Sequence, residues 1–261
     1  MVEFFFWPAL LAYGEAAVAY AGATRRPGLS GRLGTWGVRV GWLAQTALLA
    51  AQAVSTEGFP WTTWAGSLNL FVWLVVSAYL IWGCRSRYRL LGLAVMPLTV
   101  LLFAVAYAGG GTGEIPASRY SDLFLALHVG LVLVGFAGLT LAATLSGLYL
   151  WQEGRLKRHE AAILRLPAPA LVTLDKLAAR TVVVSLPLLT LGIVVGLARL
   201  AEEGGRIDAL MAVTLAAWAV YGSFLALRYG VGWRGRRGAY VALGGLALVL
   251  AIHFGLPLTH L

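Results

Sequence analysis

The sequence LFLALHVGLVLVGFAGLTLAATLSGLYLW, residues 123–151, contains no Asp, Glu, Lys or Arg. A helix that crosses a bilayer needs about 20 mainly apolar residues, so this stretch can span the membrane as one helix. Its extra length allows the helix to tilt or to project into water. The stretch therefore predicts a transmembrane helix.

Apolar stretches of similar length recur along the whole chain. Hydrophobic residues make up 60% of the sequence and charged residues 12%, with a mean hydropathy of +0.81, whereas a soluble domain is about a quarter charged. No polar block is long enough to fold separately. We therefore predict one all-α domain over residues 1–261, a polytopic integral membrane helix bundle. Eight spans are predicted, near 3–23, 37–55, 64–83, 90–109, 123–151, 181–200, 209–228 and 239–259.

Basic residues set the predicted orientation, because Lys and Arg beside short loops are retained on the cytoplasmic side. They cluster after spans one, three, five and seven, at Arg25, Arg26, Arg32, Arg85, Arg87, Arg89, Arg155, Lys157, Arg158, Arg165, Lys176, Arg180, Arg228, Arg234, Arg236 and Arg237. The connections on the opposite side are neutral to acidic. Both termini are therefore predicted on the outer side, in a multi-pass protein of a bacterial plasma membrane.

The position of the basic residues also indicates which partners the chain binds. A net charge of +9 would suggest nucleic-acid binding in a soluble protein, but these bases lie in short loops between apolar runs. Membrane lipid, and not nucleic acid, is the predicted partner. The loops either bind lipid headgroups or another protein, or only fix the topology. The longest, near 152–180, is predicted to form short amphipathic helix at the inner surface, over 160–165 and 171–180.

Several classes of site are not indicated. The single cysteine, Cys84, cannot form an internal disulfide, and there is no CxxC or CxxCH motif for zinc or covalently attached haem. GxSxG, Walker and HExxH motifs are also missing from the sequence, which favours a binding component over a catalyst. The first apolar run lacks a basic leader and a cleavage site, so it is read as a retained span.

Four histidines are available for chemistry. His159 falls on the inner loop. His128 lies roughly 8 Å below the outer end of span five at 1.5 Å per residue, and His260 stands at the outer end of span eight, with His253 two turns deeper on nearly the same face. One histidine from each of two helices can clamp haem iron. A histidine within a span can equally serve as a hydrogen-bonding residue between helices.

Two tryptophans lie in or beside the outer loop after span two, Trp61 and Trp64 in the sequence FPWTTW, residues 59–64. Interfacial tryptophans commonly anchor a helix at headgroup level. The alternative interpretation is a flat aromatic surface against a porphyrin.

Read in order, several segments resemble the cytochrome c assembly protein family, the haem-handling membrane proteins of the CcsA and HemX type. The first is SLNLFVWLVVSAYLI, residues 67–81, and the last is GWRGRRGAYVALGGLALVLAIHFG, residues 232–255. Between them, LHVGLVLVGFAGLTLAATLSGLYLWQEGRLK (127–157) and LPAPALVTLDKLAARTVVVSLPLLTLGIVVG (166–196) also match. The resemblance implies haem b held near the outer face by His128 and His260, with His253 in reserve.

The chain also departs from the family pattern. The loop AEEGGRIDA, residues 201–209, lacks the tryptophan-rich motif of members that export haem. The two internal histidines of the family are absent as well, since the corresponding positions read Gly58-Phe59-Pro60 and Ala226. The resemblance thus implies one outer haem site and gives little support to haem export.

Three functions are compatible with these observations. The first is haem binding for cytochrome c maturation or haem delivery, with a separate maturation protein performing the ligation. The second is a HemX-like regulator or scaffold of haem biosynthesis, in which the basic 152–180 loop would be the partner surface. The third is a secondary transporter, which has little support because the sequence shows no internal repeat and offers only Glu15 as a mid-span acid.

Overall fold

The computed structural model describes residues 3–23, 29–55, 63–83, 91–112, 121–159, 169–204, 207 and 209–254. Within these ranges the chain forms eight helices and no strand, which confirms the predicted all-helical class. The helices are α1 Glu3–Ala23, α2 Leu29–Ser55, α3 Trp64–Gly83, α4 Gly92–Ala108, α5 Asp122–Lys157, α6 Leu171–Glu203, α7 Ala209–Gly230 and α8 Arg236–Phe254.

Among the described residues, five helices are long and apolar enough to cross a membrane: α1, α3, α5, α6 and α7. Helix α4 is equally apolar but has 17 residues. In lipid a helix satisfies its backbone hydrogen bonds internally, so apolar runs of this length fold as helices, and the chain is a polytopic membrane helix bundle. The predicted spans at α2, α4 and α8, and the outward termini, stay predictions.

Helices α5 and α6 are longer than the predicted spans. Helix α5 has 36 residues, about 54 Å at 1.5 Å per residue, which exceeds the roughly 30 Å hydrocarbon core. Residues 152–157 are its last turns, and residues 171–180 are the first turns of α6, which has 33 residues. The expected short helix over 171–180 is therefore wrong, because it continues without a break into α6. Residues 160–168 lie outside the described ranges.

The backbone contacts group the chain into two compact units. The first comprises Met1–Ser118 with Trp151–Ala170, and the second comprises Arg119–Leu150 with Leu171–Leu261. In the first unit, tyrosine rings of α1 pack directly against glycines of α2. A Cβ at Gly41 would lie 2.6 Å from the ring of Tyr13. The prediction of one domain over 1–261 stays a prediction.

In the second unit, small residues allow α5 and α6 to pack closely side by side. A Cβ at Gly135 would lie 2.9 Å from the Cβ of Leu189, and one at Gly138 would collide with the Oγ of Ser185. Glycine and serine at a helix interface let two backbones approach. This interface, which we call the α5–α6 seam, positions the residue at its far end, His128.

Candidate functional site

His128 lies in the second turn of α5 and is half-buried. Its Nδ1 atom is 2.8 Å from the carbonyl oxygen of Gly192 on α6. A carbonyl oxygen can only accept a hydrogen bond, so Nδ1 carries the proton and donates it. In the neutral ring, Nε2 then holds a free lone pair, the state in which imidazole binds a metal.

The remaining sides of the imidazole are also defined. The ring stacks on Phe124, one turn earlier in α5, with the ring centroids 5.6 Å apart and the planes 9° from parallel. It also lies against Gly196, where an added Cβ would collide with Cε1 and would sit 3.2 Å from Nε2. Among the described residues no hydrogen bond to Nε2 is recorded. The arrangement can therefore offer one nitrogen to an electron-pair acceptor such as haem iron.

The α5–α6 seam explains why the Gly192 carbonyl is within reach. Proceeding toward the N-terminus of α5, Gly138 packs on Ser185, Gly135 on Leu189, and Val132 on Gly192. A Cβ at Gly192 would lie 2.7 Å from a methyl group of Val132 and 3.0 Å from its backbone nitrogen. The two helices thus run antiparallel in register, and the next pair in the series is His128 with Gly196.

The other predicted ligands are less fully described. His260 and Trp61 lie outside the described residues, and His253 falls within the last turn of α8, where only the backbone is described. Within the described part of the chain, no group of three or more His, Cys, Asp or Glu side chains converges as a metal site. The structure therefore defines the surroundings of one predicted ligand, His128, while ligation by His128, His260 and His253 stays a prediction.

Trp64 is the predicted aromatic residue that the structure describes. It begins α3 in the first unit and is 43% exposed. Its indole covers Gly109 at the end of α4, because a Cβ there would come within 2.5 Å of Cη2. A half-exposed indole at a helix end suits membrane anchoring and porphyrin contact equally, so both interpretations stay open.

A buried ion pair in the second unit was not predicted from the sequence. Arg228 donates to both carboxylate oxygens of Asp175, with Nη1–Oδ1 at 2.9 Å and Nη2–Oδ2 at 2.7 Å. The backbone N–H of Gly235 donates to Oδ1 at 2.9 Å, from a glycine with φ of +64°. We call this arrangement the Asp175 clamp. It joins the start of α6, the end of α7 and the turn before α8.

The clamp corrects the sequence interpretation of Arg228. That residue was predicted at the end of span seven, as one of the exposed bases that set the orientation, but it lies inside α7 with 8% of its side chain exposed. One signal was available: Asp175 is the only acidic residue between Glu160 and Glu202. A single carboxylate at the start of a long apolar run needs a partner.

The first unit contains a buried polar cluster that was also not predicted. The hydroxyl of Tyr13 donates to Oε1 of Gln45, and Nε2 of Gln45 donates to the backbone and side-chain oxygens of Asn69 at 3.0 and 2.9 Å. The amide of Asn69 in turn donates to the carbonyl of Gly111 at 3.4 Å. All three side chains are fully buried. Because these bonds join α1 to α2, α2 to α3, and α3 to the turn after α4, the cluster fixes how these helices pack.

Comparison with known proteins identifies the family. A profile of the family described as Cytochrome C assembly protein matches residues 61–260. The chain is 27% identical to the cytochrome c biogenesis protein CcsA of Synechococcus elongatus, over 89% of this chain and 87% of that protein. It is 25% identical to CcsA of Gloeothece citriformis (87% and 84% covered) and 24% identical to CcsA of Gloeobacter violaceus (90% and 86% covered). The chain therefore belongs to the cytochrome c assembly protein family.

Proposed function

We propose that this chain binds haem b near the outer face of the membrane and holds it for cytochrome c assembly. Membership of the assembly family carries the general role. The haem site rests on one observation: Nδ1 of His128 lies 2.8 Å from the carbonyl oxygen of Gly192, so that the Nδ1–H group donates a hydrogen bond to it. That bond leaves Nε2 as the ligating atom and orients the ring, which is how metal-binding histidines are commonly held.

In this proposal His260 supplies the second axial ligand and His253 is the reserve. The charge pattern of the loops assigns His128 and His260 to the same outer side, which is the requirement for clamping one macrocycle between them. Trp61 and Trp64 are the candidate aromatic contacts. Bound haem would supply the vinyl groups to which the cysteine thiols of an apocytochrome add. The residues of this chain would only bind and orient it, while a maturation partner performs the attachment.

The test is haem titration of the purified full-length protein in detergent. We expect a Soret band with the features of bis-histidine coordination. His128→Ala and His260→Ala should each convert the spectrum to that of a weaker, mono-histidine complex, and the double variant should lose the band. His159→Ala is the matched control, because His159 is exposed in the turn after α5 and should bind haem like the wild type. An unchanged band in the double variant would overturn the ligand assignment.

His253→Ala separates the main and reserve assignments. If His260 is the second ligand, the His253 variant keeps the bis-histidine spectrum. If instead His253→Ala loses the bis-histidine spectrum and His260→Ala keeps it, His253 is the second axial ligand.

A regulator of haem biosynthesis similar to HemX is the second candidate, favoured by the loop 201–209, which has no tryptophan. The relatives named above carry the cytochrome c biogenesis name, which supports assembly instead. Co-purification from native membranes distinguishes the two. Recovery of cytochrome maturation proteins supports the assembly role, and recovery of tetrapyrrole-synthesis enzymes alone would favour the regulator.

A further inference from the structure

We propose that α6 positions the His128 imidazole for metal binding, with Gly196 as the positioning residue that makes room for the ring and the Gly192 carbonyl as the group that selects its tautomer. This inference rests on the proposed function, because it assumes that His128 is an axial ligand. It goes further in assigning a role to two glycines of a neighbouring helix.

The Gly192 carbonyl determines which nitrogen is available. An isolated imidazole exchanges its proton between Nδ1 and Nε2, and a metal can bind only the nitrogen that lacks the proton. With the carbonyl oxygen 2.8 Å from Nδ1, the proton is held there. The same bond makes the ring a stronger electron donor, because partial transfer of the Nδ1 proton to an acceptor raises the basicity of Nε2.

Gly196 determines where the ring lies. A Cβ at this position would collide with Cε1, and it would sit 2.8 Å from Nδ1 and 3.2 Å from Nε2. All three atoms belong to the half of the ring that carries the two nitrogens. An alanine would therefore push the imidazole away from α6, which lengthens the bond to the Gly192 carbonyl and redirects Nε2. Phe124 stacks on the ring from within α5, whereas the acceptor of the Nδ1–H group and the glycine against the nitrogen side of the ring both belong to α6.

The chain contains a matched control for this substitution. Gly130 lies in α5, two residues from His128, and an added Cβ there would meet no atom of the described residues within 4 Å. Gly196→Ala and Gly130→Ala thus make the same chemical change within helices close to the same site. The collision with the imidazole is what distinguishes them.

The experiment has two independent readouts on the wild type and both variants. The first is ¹⁵N NMR of histidine-labelled, haem-free protein in micelles at about pH 8.5, some two units above the usual imidazole pKa of about 6.5. The chain has four histidines, and His128→Gln identifies the signal. The second is haem affinity and the bis-histidine spectrum in a titration.

We expect the wild type and Gly130→Ala to show His128 protonated at Nδ1. Gly196→Ala should lose this tautomer preference and bind haem about 10- to 100-fold more weakly, the usual effect of disturbing a group that orients a metal ligand. A wild-type His128 protonated at Nε2 would overturn the inference without any variant. Equal haem affinity in the two glycine variants would also overturn it, provided that His128→Gln weakens binding.

The two proposals fail differently. If His128→Gln binds haem as the wild type does, the proposed ligand is wrong, although the NMR result on the tautomer still stands. If His128→Gln loses the spectrum while Gly196→Ala changes neither readout, His128 is the ligand and the positioning role is refuted.

Discussion

Removal of Arg228 from the Asp175 clamp should destabilise the second unit far more than removal of an exposed arginine. The two side chains are 8% and 15% exposed, so Arg228→Gln leaves a largely buried carboxylate without its counter-charge. Breaking a buried ion pair in this way costs about 3–5 kcal/mol. Because Asp175 keeps some exposure and the N–H of Gly235 at 2.9 Å, we expect the lower value, about 3 kcal/mol.

The measurement is the free energy of unfolding in mixed micelles, followed by tryptophan fluorescence. Arg199→Gln is the control, since the Arg199–Glu202 pair is 44% and 68% exposed and such pairs contribute at most about 1 kcal/mol. The double variant Asp175→Asn, Arg228→Gln should be more stable than Arg228→Gln alone, because no buried charge remains. If Arg228→Gln and Arg199→Gln lose the same free energy, the clamp is not a buried ion pair and the reasoning fails.

Three further outcomes are expected. Gly138→Ala should lower the free energy of unfolding by about 1–3 kcal/mol, because its Cβ would collide with the Oγ of Ser185. Gly147→Ala is the control and should leave the free energy of unfolding unchanged, because the nearest described atom to its Cβ would be 3.8 Å away. Equal losses of stability in the two variants would argue against close packing at the α5–α6 seam. Gln45→Leu should cost about 1–3 kcal/mol by leaving buried polar partners without their hydrogen bonds, and wild-type stability would show that the buried cluster contributes nothing. Cys84, the single cysteine, should react with a membrane-impermeant maleimide in inverted vesicles only, and labelling of intact cells would reverse the predicted orientation.

The helices were predictable because the property that defines them is local. Apolar length alone favours a helix in lipid, and each of the eight predicted spans begins or ends within three residues of the corresponding end of a helix in the described part of the chain. The start of α6 was missed by ten residues, 181 against 171, because its first turns carry Asp175, Lys176 and Arg180. Charges of this kind indicate the membrane surface, but they do not stop a helix from continuing into water.

For the candidate site, the sequence predicted the residue His128 but not the residues of other helices that contact it. The partner of its Nδ1 atom is 64 positions away in the chain, and the two members of the Asp175 clamp are 53 positions apart. Helices that are apolar on every side carry no polar face to indicate which residues turn toward a neighbour. Periodicity therefore could not indicate these pairs.

What the sequence determines by itself is the helical membrane class and its approximate helix positions, because hydrophobicity and backbone hydrogen bonding act over consecutive residues. It also names the few side chains capable of binding a metal. The rotation and the axial offset of each helix against its neighbour are decided by the tertiary structure. Those two quantities bring Gly192 and Gly196 against His128, and they determine which nitrogen of its ring is free.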